Sequence, residues 1–162
     1  MRDRAGPPVP SIPMDTFLVS TDPGLLDIDV IHGFLSNCYW SPGIHRARVE
    51  RAIANSLNFA VYDTSSPRPD GPPAQVGFAR VVTDKASFAY LADVFILEAY
   101  RGRGLSKRLM DAIVAHPDLQ GLRRFCLLTR DAHALYAKYG FAPLPDPGRY
   151  MERIDRESYR RG

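Results

Sequence analysis

The segment 90-YLADVFILEAYRGRGLS-106 joins an apolar run to a turn that contains two glycines. An apolar run of this length is typical of a buried strand, and glycine permits the backbone conformations of a tight turn. Beyond the turn, Leu105, Leu109 and Ile113 recur at the spacing of one helical face, and Pro117 limits the helix. The segment therefore predicts a strand, a tight turn and a helix in immediate succession.

The same turn predicts an anion site. The first N–H groups of a helix have no partner within the helix and lie at the positive end of its dipole, which suits a pyrophosphate. A Gly-x-Gly turn alone is equally consistent with a purely structural role. Two other phosphate-binding motifs are excluded, because no Gly-Lys-Ser/Thr follows the turn and the third glycine of the dinucleotide fingerprint is absent. Further positive charge comes from Arg101, Arg103, Lys107 and Arg108.

The flanking sequence predicts one mixed α/β domain. We expect a flexible proline-rich arm at 1–14, the domain at 15–155 and a solvated basic tail at 156–162. The predicted helices begin at Asp29, cover 45–57, run from Leu105 to before Pro117, and cover 132–139. The predicted strands are 17–21, 59–62, 75–83, 88–97, 124–129 and further strands from Phe141 that include Tyr150 and Met151.

The composition is ordinary for a globular protein, with 162 residues, 45% hydrophobic, 24% charged and a net charge of +3. No apolar run reaches the roughly 18 residues of a membrane-spanning helix, so we expect no membrane partner. The positive excess is too small to indicate nucleic acid as the partner. Cys38 and Cys126 form neither a metal-ligand spacing nor a disulfide framework, which predicts a reducing cytoplasm.

Two motifs resemble those of the GCN5-related N-acetyltransferases. The turn 101–106 is similar to the family's acetyl-CoA-binding pattern Gln/Arg-x-x-Gly-x-Gly/Ala, with Ser106 departing at the last position. Residues 132–141 are similar to Ala-x-x-x-Tyr-x-x-x-Gly-Phe, and Thr129 stands where the family often has Asn. The resemblance covers 75–141 and implies a single α/β (α+β) domain whose mixed, mostly antiparallel sheet is splayed at its centre and flanked by helices.

The resemblance also implies acetyl-CoA as co-substrate, and no metal. Backbone groups of the strand pair with the pantetheine arm, a backbone N–H near Phe95 polarises the thioester carbonyl, and amides of the turn hold the pyrophosphate. The implied cofactor-binding residues are Phe95, Ile96, Leu97, Arg101, Gly102, Arg103, Gly104, Leu105, Ser106, Thr129 and Tyr136.

Tyr136 and Asp93 are the implied catalytic residues. Tyr136 falls where the family keeps a tyrosine that protonates the departing thiolate, and a phenol with a pKa of about 10 is protonated at neutral pH. Its alternative role is packing on an amphipathic helix. Asp93 interrupts an apolar strand, where a carboxylate is costly unless satisfied. It deprotonates or anchors an ammonium, or it is a structural carboxylate bonded to nearby backbone.

The acceptor site is expected at the first two helices and their connection. Tyr39 and Trp40 lie in that connection and suit an amine through cation–π attraction, although Trp40 alternatively fills the edge of the core. His133 lies three residues before Tyr136, on a similar helical face, and is a candidate base, a substrate contact or an exposed histidine. Together with Asp93, these are the predicted substrate-binding residues.

The function implied by the resemblance is transfer of an acetyl group from acetyl-CoA to a primary amine by direct attack within a ternary complex. A small-molecule acceptor is favoured over a protein amine. The alternative is a CoA-binding sensing or regulatory module without turnover, and a third hypothesis is nucleic-acid binding through the arginines of the turn and tail. A homodimer is compatible with the resemblance.

Overall fold

Five strands form one sheet in chain order within residues 16–65 and 69–161, which the computed structural model describes. The strands are β1 (Phe17–Ser20), β2 (Leu57–Asp63), β3 (Ala74–Thr83), β4 (Phe88–Ile96) and β5 (Arg124–Leu127). Neighbouring strands from β1 to β4 are antiparallel, whereas β4 and β5 are parallel. The predicted arm at 1–14 lies outside the described residues.

Helices flank the sheet, and their ends follow local sequence signals. Asp27 caps the first helix by accepting a hydrogen bond from the Val30 N–H at 3.1 Å. Gly104 precedes the third helix, and Pro117 follows it closely. The α-helices are α1 (Ile28–Leu35), α2 (Arg46–Ala54), α3 (Leu105–Ala115) and α4 (His133–Ala137), with 3-10 turns at Pro23–Leu25, Glu98–Tyr100, Pro117–Leu119 and Pro147–Arg149. The predicted fold class, a single mixed α/β domain, is confirmed.

The core consists of two apolar clusters, one on each face of the sheet. Phe59 and Val61 of β2 belong to the cluster on the α3 side, and Ala60 and Tyr62 belong to the cluster on the α1/α2 side. Because β2 is covered on both faces, it shows no polar–apolar alternation and reads as a continuous apolar run.

The prediction of strands from Phe141 onward is wrong. The described residues 141–161 contain no strand, and Tyr150 and Met151 lie outside any regular element. Prolines at 143, 145 and 147 have no N–H to give to a ladder, which opposes strand pairing here. The predicted helices at 45–57 and 132–139 are also shorter, ending at Ala54 and Ala137.

The C-terminal tail is only partly solvated. Arg160 and Arg161 are exposed and form ion pairs with Glu157 and Asp155. Tyr159, however, is half-buried and packs against the cluster on the α1/α2 side. The tail therefore contributes to the domain, although it was expected to be free in solvent.

Candidate active site

A cavity of about 920 Å³ opens where β4 and β5 diverge. β4 pairs with β5 only from Phe88 to Leu91, and it then continues to Ile96 while β5 ends at Leu127. We call the part of this cleft at residues 101–106 the turn end. The opposite part is called the loop end and is defined by Tyr39, Trp40, Arg80, Asp93 and Arg130.

The turn end presents backbone amides. The first intrahelical bond of α3 runs from the Arg108 N–H to the Gly104 carbonyl at 3.2 Å, so the N–H groups of residues 105–107 have no partner within the helix. Gly102 and Gly104 have φ values of +75° and +74°, which disfavour side chains. A Cβ at either glycine would meet nothing within 4 Å, so glycine is required by backbone conformation rather than by crowding. The arrangement suits an anion.

The Arg103 side chain does not line the cleft. Its Nη2 donates to the Ala99 carbonyl at 3.1 Å, and its guanidinium lies 5.1 Å from the centre of the Tyr100 ring. Arg101 instead lines the cleft while its Nε donates to the Ile96 carbonyl at 3.1 Å. Arg103 therefore contributes to the turn end through its backbone, and its side chain braces the segment before the turn.

Tyr136 lies on α4 and is 9% exposed, with its ring packed edge-on to Phe141. Burial raises the pKa of its hydroxyl, and the nearby Tyr39 and Asp131 raise it further. The hydroxyl is therefore protonated at neutral pH. Thr129 holds the residue that precedes α4, because its Oγ1 accepts a hydrogen bond from the Ala132 N–H at 3.0 Å.

Asp93 occupies a bulge in β4. The register with β3 shifts between Phe78 and Arg80, and Asp93 has a φ of +55°. Its Oδ2 accepts from the Arg80 Nε at 2.7 Å, and its Oδ1 accepts from the Trp40 Nε1 at 3.3 Å. Arg80 also donates to the Ser56 hydroxyl at 3.2 Å. Asp93 thus joins β3, the end of α2 and the α1–α2 connection.

An aromatic wall forms the loop end. Phe34 stacks on Phe95 at 3.9 Å between ring centres, and Trp40 packs against Phe34 at 5.9 Å. Tyr39 meets Trp40 edge-on at 5.0 Å. From the other side of the cleft, the Arg130 guanidinium lies 3.8 Å from the centre of the Tyr39 ring, a cation–π contact across the opening.

The cleft brings most of the predicted site residues together. Leu97, Arg103 and His133 do not line it, and His133 is exposed on α4. The predicted residues that do line it are Tyr39, Trp40, Asp93, Phe95, Ile96, Arg101, Gly102, Gly104, Leu105, Ser106, Thr129 and Tyr136.

The cleft residues that were not predicted from sequence include Arg80, Arg130 and Tyr159. Arg80 carried a usable signal, because it is a lone charge in an apolar strand of the same hairpin as Asp93, and each needs a partner when buried. Arg130 and Tyr159 carried none, because their contacts are with residues far away in sequence.

Within the described residues, no helix is long and apolar enough to cross a membrane. The same part of the chain contains no group of three or more His, Cys, Asp or Glu side chains that could hold a metal ion.

Known proteins match this architecture over most of the chain. A family model described as an acetyltransferase (GNAT) domain matches residues 59–143. A Gibberella zeae protein whose acetyltransferase activity is itself inferred is 34% identical over 137 residues, which cover 75% of this chain and 76% of that protein.

Two solved structures extend the comparison. An inferred GNAT acetyltransferase of Xanthomonas campestris is 54% identical with a TM-score of 0.79, over 88% of this chain and 96% of that one. A Clostridium acetobutylicum protein solved with acetyl-CoA has the same fold at 15% identity and a TM-score of 0.56, over 85% and 94% of the two chains. By its family match and its relatives, the chain belongs to the GNAT family of acetyltransferases.

Proposed function

We propose that this acetyltransferase moves the acetyl group of acetyl-CoA to the primary amine of a small molecule by direct attack within a ternary complex. One observation carries the proposal. A single cleft contains the glycine turn at a helix start, the edge of β4 beyond its pairing with β5, and Tyr136. Binding of acetyl-CoA in the Clostridium acetobutylicum relative supports the choice of cofactor.

The cleft residues fit acetyl-CoA. The amides of residues 105–107, which have no partner within α3, suit its pyrophosphate, and Arg101 adds a positive charge beside them. The segment 92–96 continues beyond the last pairing with β5, so it offers a strand edge for the amide groups of the pantetheine arm. We assign these two segments to cofactor binding.

The chemistry follows from what the two ends of the cleft hold. Acetyl-CoA supplies an activated acetyl thioester. The acceptor nitrogen attacks its carbonyl carbon as a neutral amine, the C–S bond breaks, and the sulfur takes the proton of the Tyr136 hydroxyl. A backbone N–H at the bulge beside Phe95 is assigned to the carbonyl oxygen, where negative charge develops. The acceptor ammonium first gives one proton to water at the cleft opening. The second proton that the nitrogen loses, as the amide forms, passes through water to the Tyr136 phenolate and restores its hydroxyl.

We assign Asp93 an anchoring role rather than that of a general base. Both carboxylate oxygens already accept hydrogen bonds, and the Arg80–Asp93 pair is mostly buried, with 17% and 14% of the side chains exposed. A carboxylate has about four acceptor positions, so two remain for an acceptor ammonium. Asp93 can thus hold the amine beside Trp40 while it holds the loop in place.

The competing functions are a sensing module without turnover and an acetyltransferase for protein amines. Tyr136 in the cleft with a proton to donate argues against the module. The aromatic wall and the Arg130–Tyr39 contact narrow the loop end, which favours a small acceptor over a protein chain. Cytoplasmic location remains part of the proposal, supported by two free thiols, Cys38 and Cys126.

The test combines calorimetry with a thiol-release assay. We expect the protein to bind acetyl-CoA and to release CoA with small primary amines, such as alkylamines, arylalkylamines and polyamines, faster than with peptides that have free N-termini or lysines. Binding without release against any amine would establish the sensing module. Release only with peptides would move the acceptor to a protein amine.

A further inference from the structure

A second, smaller cavity of about 120 Å³ adjoins the cleft on the α1/α2 side of the sheet. Its walls are mostly apolar side chains of the α1/α2-side cluster, with charged groups along one border. The apolar lining residues are Leu35, Ile44, Val49, Ala52, Ile53 and Phe78. Protein interiors contain few gaps larger than a water molecule, and an apolar gap of roughly this size binds a benzene-sized molecule rather than water.

The two cavities share three lining residues, Arg80, Asp93 and Tyr159. The Arg80–Asp93 ion pair is held by Ser56 and Trp40, so this part of the border is fixed. Tyr159 is held by apolar packing and by the Arg48 guanidinium at 5.7 Å from its ring centre. Tyr159 is therefore the part of the border that packing holds, whereas hydrogen bonds hold Arg80 and Asp93.

We propose that this side cavity is a subsite for a compact apolar substituent of the acceptor, about the size of a pentyl or phenyl group. The inference rests on the proposed function, and it makes the acceptor an amphipathic primary amine. Its ammonium lies beside Asp93 in the cleft, and its apolar part passes Tyr159 into the side cavity. A charged or strongly polar substituent is disfavoured, because the walls beyond the border of Arg48, Arg80 and Asp93 are apolar.

A series of straight-chain amines from ethylamine to heptylamine tests the subsite with saturating acetyl-CoA. We expect kcat/KM to rise about fourfold for each added methylene until the cavity is filled, and then to stop rising. Ala52→Leu fills the cavity from α2 and is expected to abolish the rise, with unchanged affinity for acetyl-CoA. Ala54→Leu, on the exposed side of the same helix, is the matched control and should behave as wild type.

A second readout does not depend on turnover. In methyl NMR spectra of the CoA-bound protein, pentylamine should shift the Val49 and Ile53 signals, and Ala52→Leu should suppress these shifts. Acetylation with no dependence on chain length and no methyl shifts would overturn the subsite and leave the proposed function intact. Methyl shifts without acetylation of any amine would uphold the apolar subsite and overturn the proposed function.

Discussion

The turn end of the cleft is built from six consecutive residues, 101–106, whereas the loop end combines side chains from positions as far apart as Tyr39 and Arg130. The turn end acts through backbone amides whose direction is set by local φ values. The loop end acts through side chains that tie distant elements together, as Asp93 does with Arg80 and Trp40. Backbone recognition of this kind tolerates varied side chains, whereas the loop end depends on each partner.

Gly104→Glu is expected to have the largest effect, because it attacks the backbone of the turn end. The substitution places a side chain at a φ of +74° and a negative charge beside the pyrophosphate site. We expect affinity for acetyl-CoA to fall by about 1000-fold in calorimetry, since one like-charge contact near a protein surface costs about 4 kcal/mol. Gly121→Glu, at a φ of +68° outside the cleft, is the control for strain. Equal losses in both variants would remove the turn end from cofactor binding.

Tyr136→Phe tests whether the Tyr136 hydroxyl acts in the chemical step rather than in the binding of acetyl-CoA. Removal of a proton donor costs about 100-fold in kcat when the group acts as general acid. We expect that loss, with affinity for acetyl-CoA within about twofold of wild type. The matched control is Tyr139→Phe, whose hydroxyl contacts the Lys107 carbonyl and Asp111 on α3. Tyr139→Phe should leave kcat unchanged. Normal turnover in Tyr136→Phe would show that Tyr136 has only a packing role.

Asp93→Asn tests whether the loop end is anchored or catalytic at this position. Asn tolerates the positive φ but leaves Arg80 without its charge partner. We expect kcat/KM for the amine to fall about tenfold, mostly through KM, because a neutral amide holds an ammonium more weakly than a carboxylate does. The shape of the pH profile should not change. If the acidic limb of the pH profile disappeared and kcat/KM fell by about 1000-fold, Asp93 would instead be identified as the general base. Asp131→Asn, on an exposed carboxylate of the same cleft, is the control.

Tyr62→Phe has the smallest expected effect and tests the core beneath the loop end. Burial, with smaller contributions from Asp22 and Asp27, raises the pKa of Tyr62 to about 12. Unfolded tyrosine loses its proton near pH 10, so the native state holds the proton longer and stability falls between about pH 10 and 12. Its hydroxyl is fully buried with no partner among the described residues. Removing it should raise the free energy of unfolding at pH 7 by about 1 kcal/mol.

Urea titrations at pH 7 and pH 11 measure the difference in the free energy of unfolding between Tyr62→Phe and wild type. The gap between Tyr62→Phe and wild type should widen at pH 11, because the unfolded wild type loses the Tyr62 proton that its native state keeps, and the variant has no such proton. Tyr150→Phe, on an exposed ring, is the control. A narrower gap at pH 11 would contradict the assigned direction of the pKa shift.

Sequence reasoning reached the fold class and the turn end because both depend on local rules. The strands from β1 to β5 and the helix after the turn were predicted within a few residues of their observed ends. The same local reasoning failed beyond Phe141, where the apolar residues alternate with prolines and form no strand. The apolar character of this segment did not show whether a neighbouring strand was available for it to pair with.

The sequence alone determined that a strand, a glycine turn and a helix would follow one another and that Tyr136 would lie on a helix near them. Backbone conformation and helical spacing are properties of neighbouring residues, so they can be read from a single chain. Only the tertiary structure decided that the Arg103 side chain contacts the Ala99 carbonyl, that Arg80 and Trp40 hold Asp93, and that Tyr159 borders a second cavity. These contacts join residues far apart in sequence, and packing of the whole domain selects them from many partners of similar chemistry.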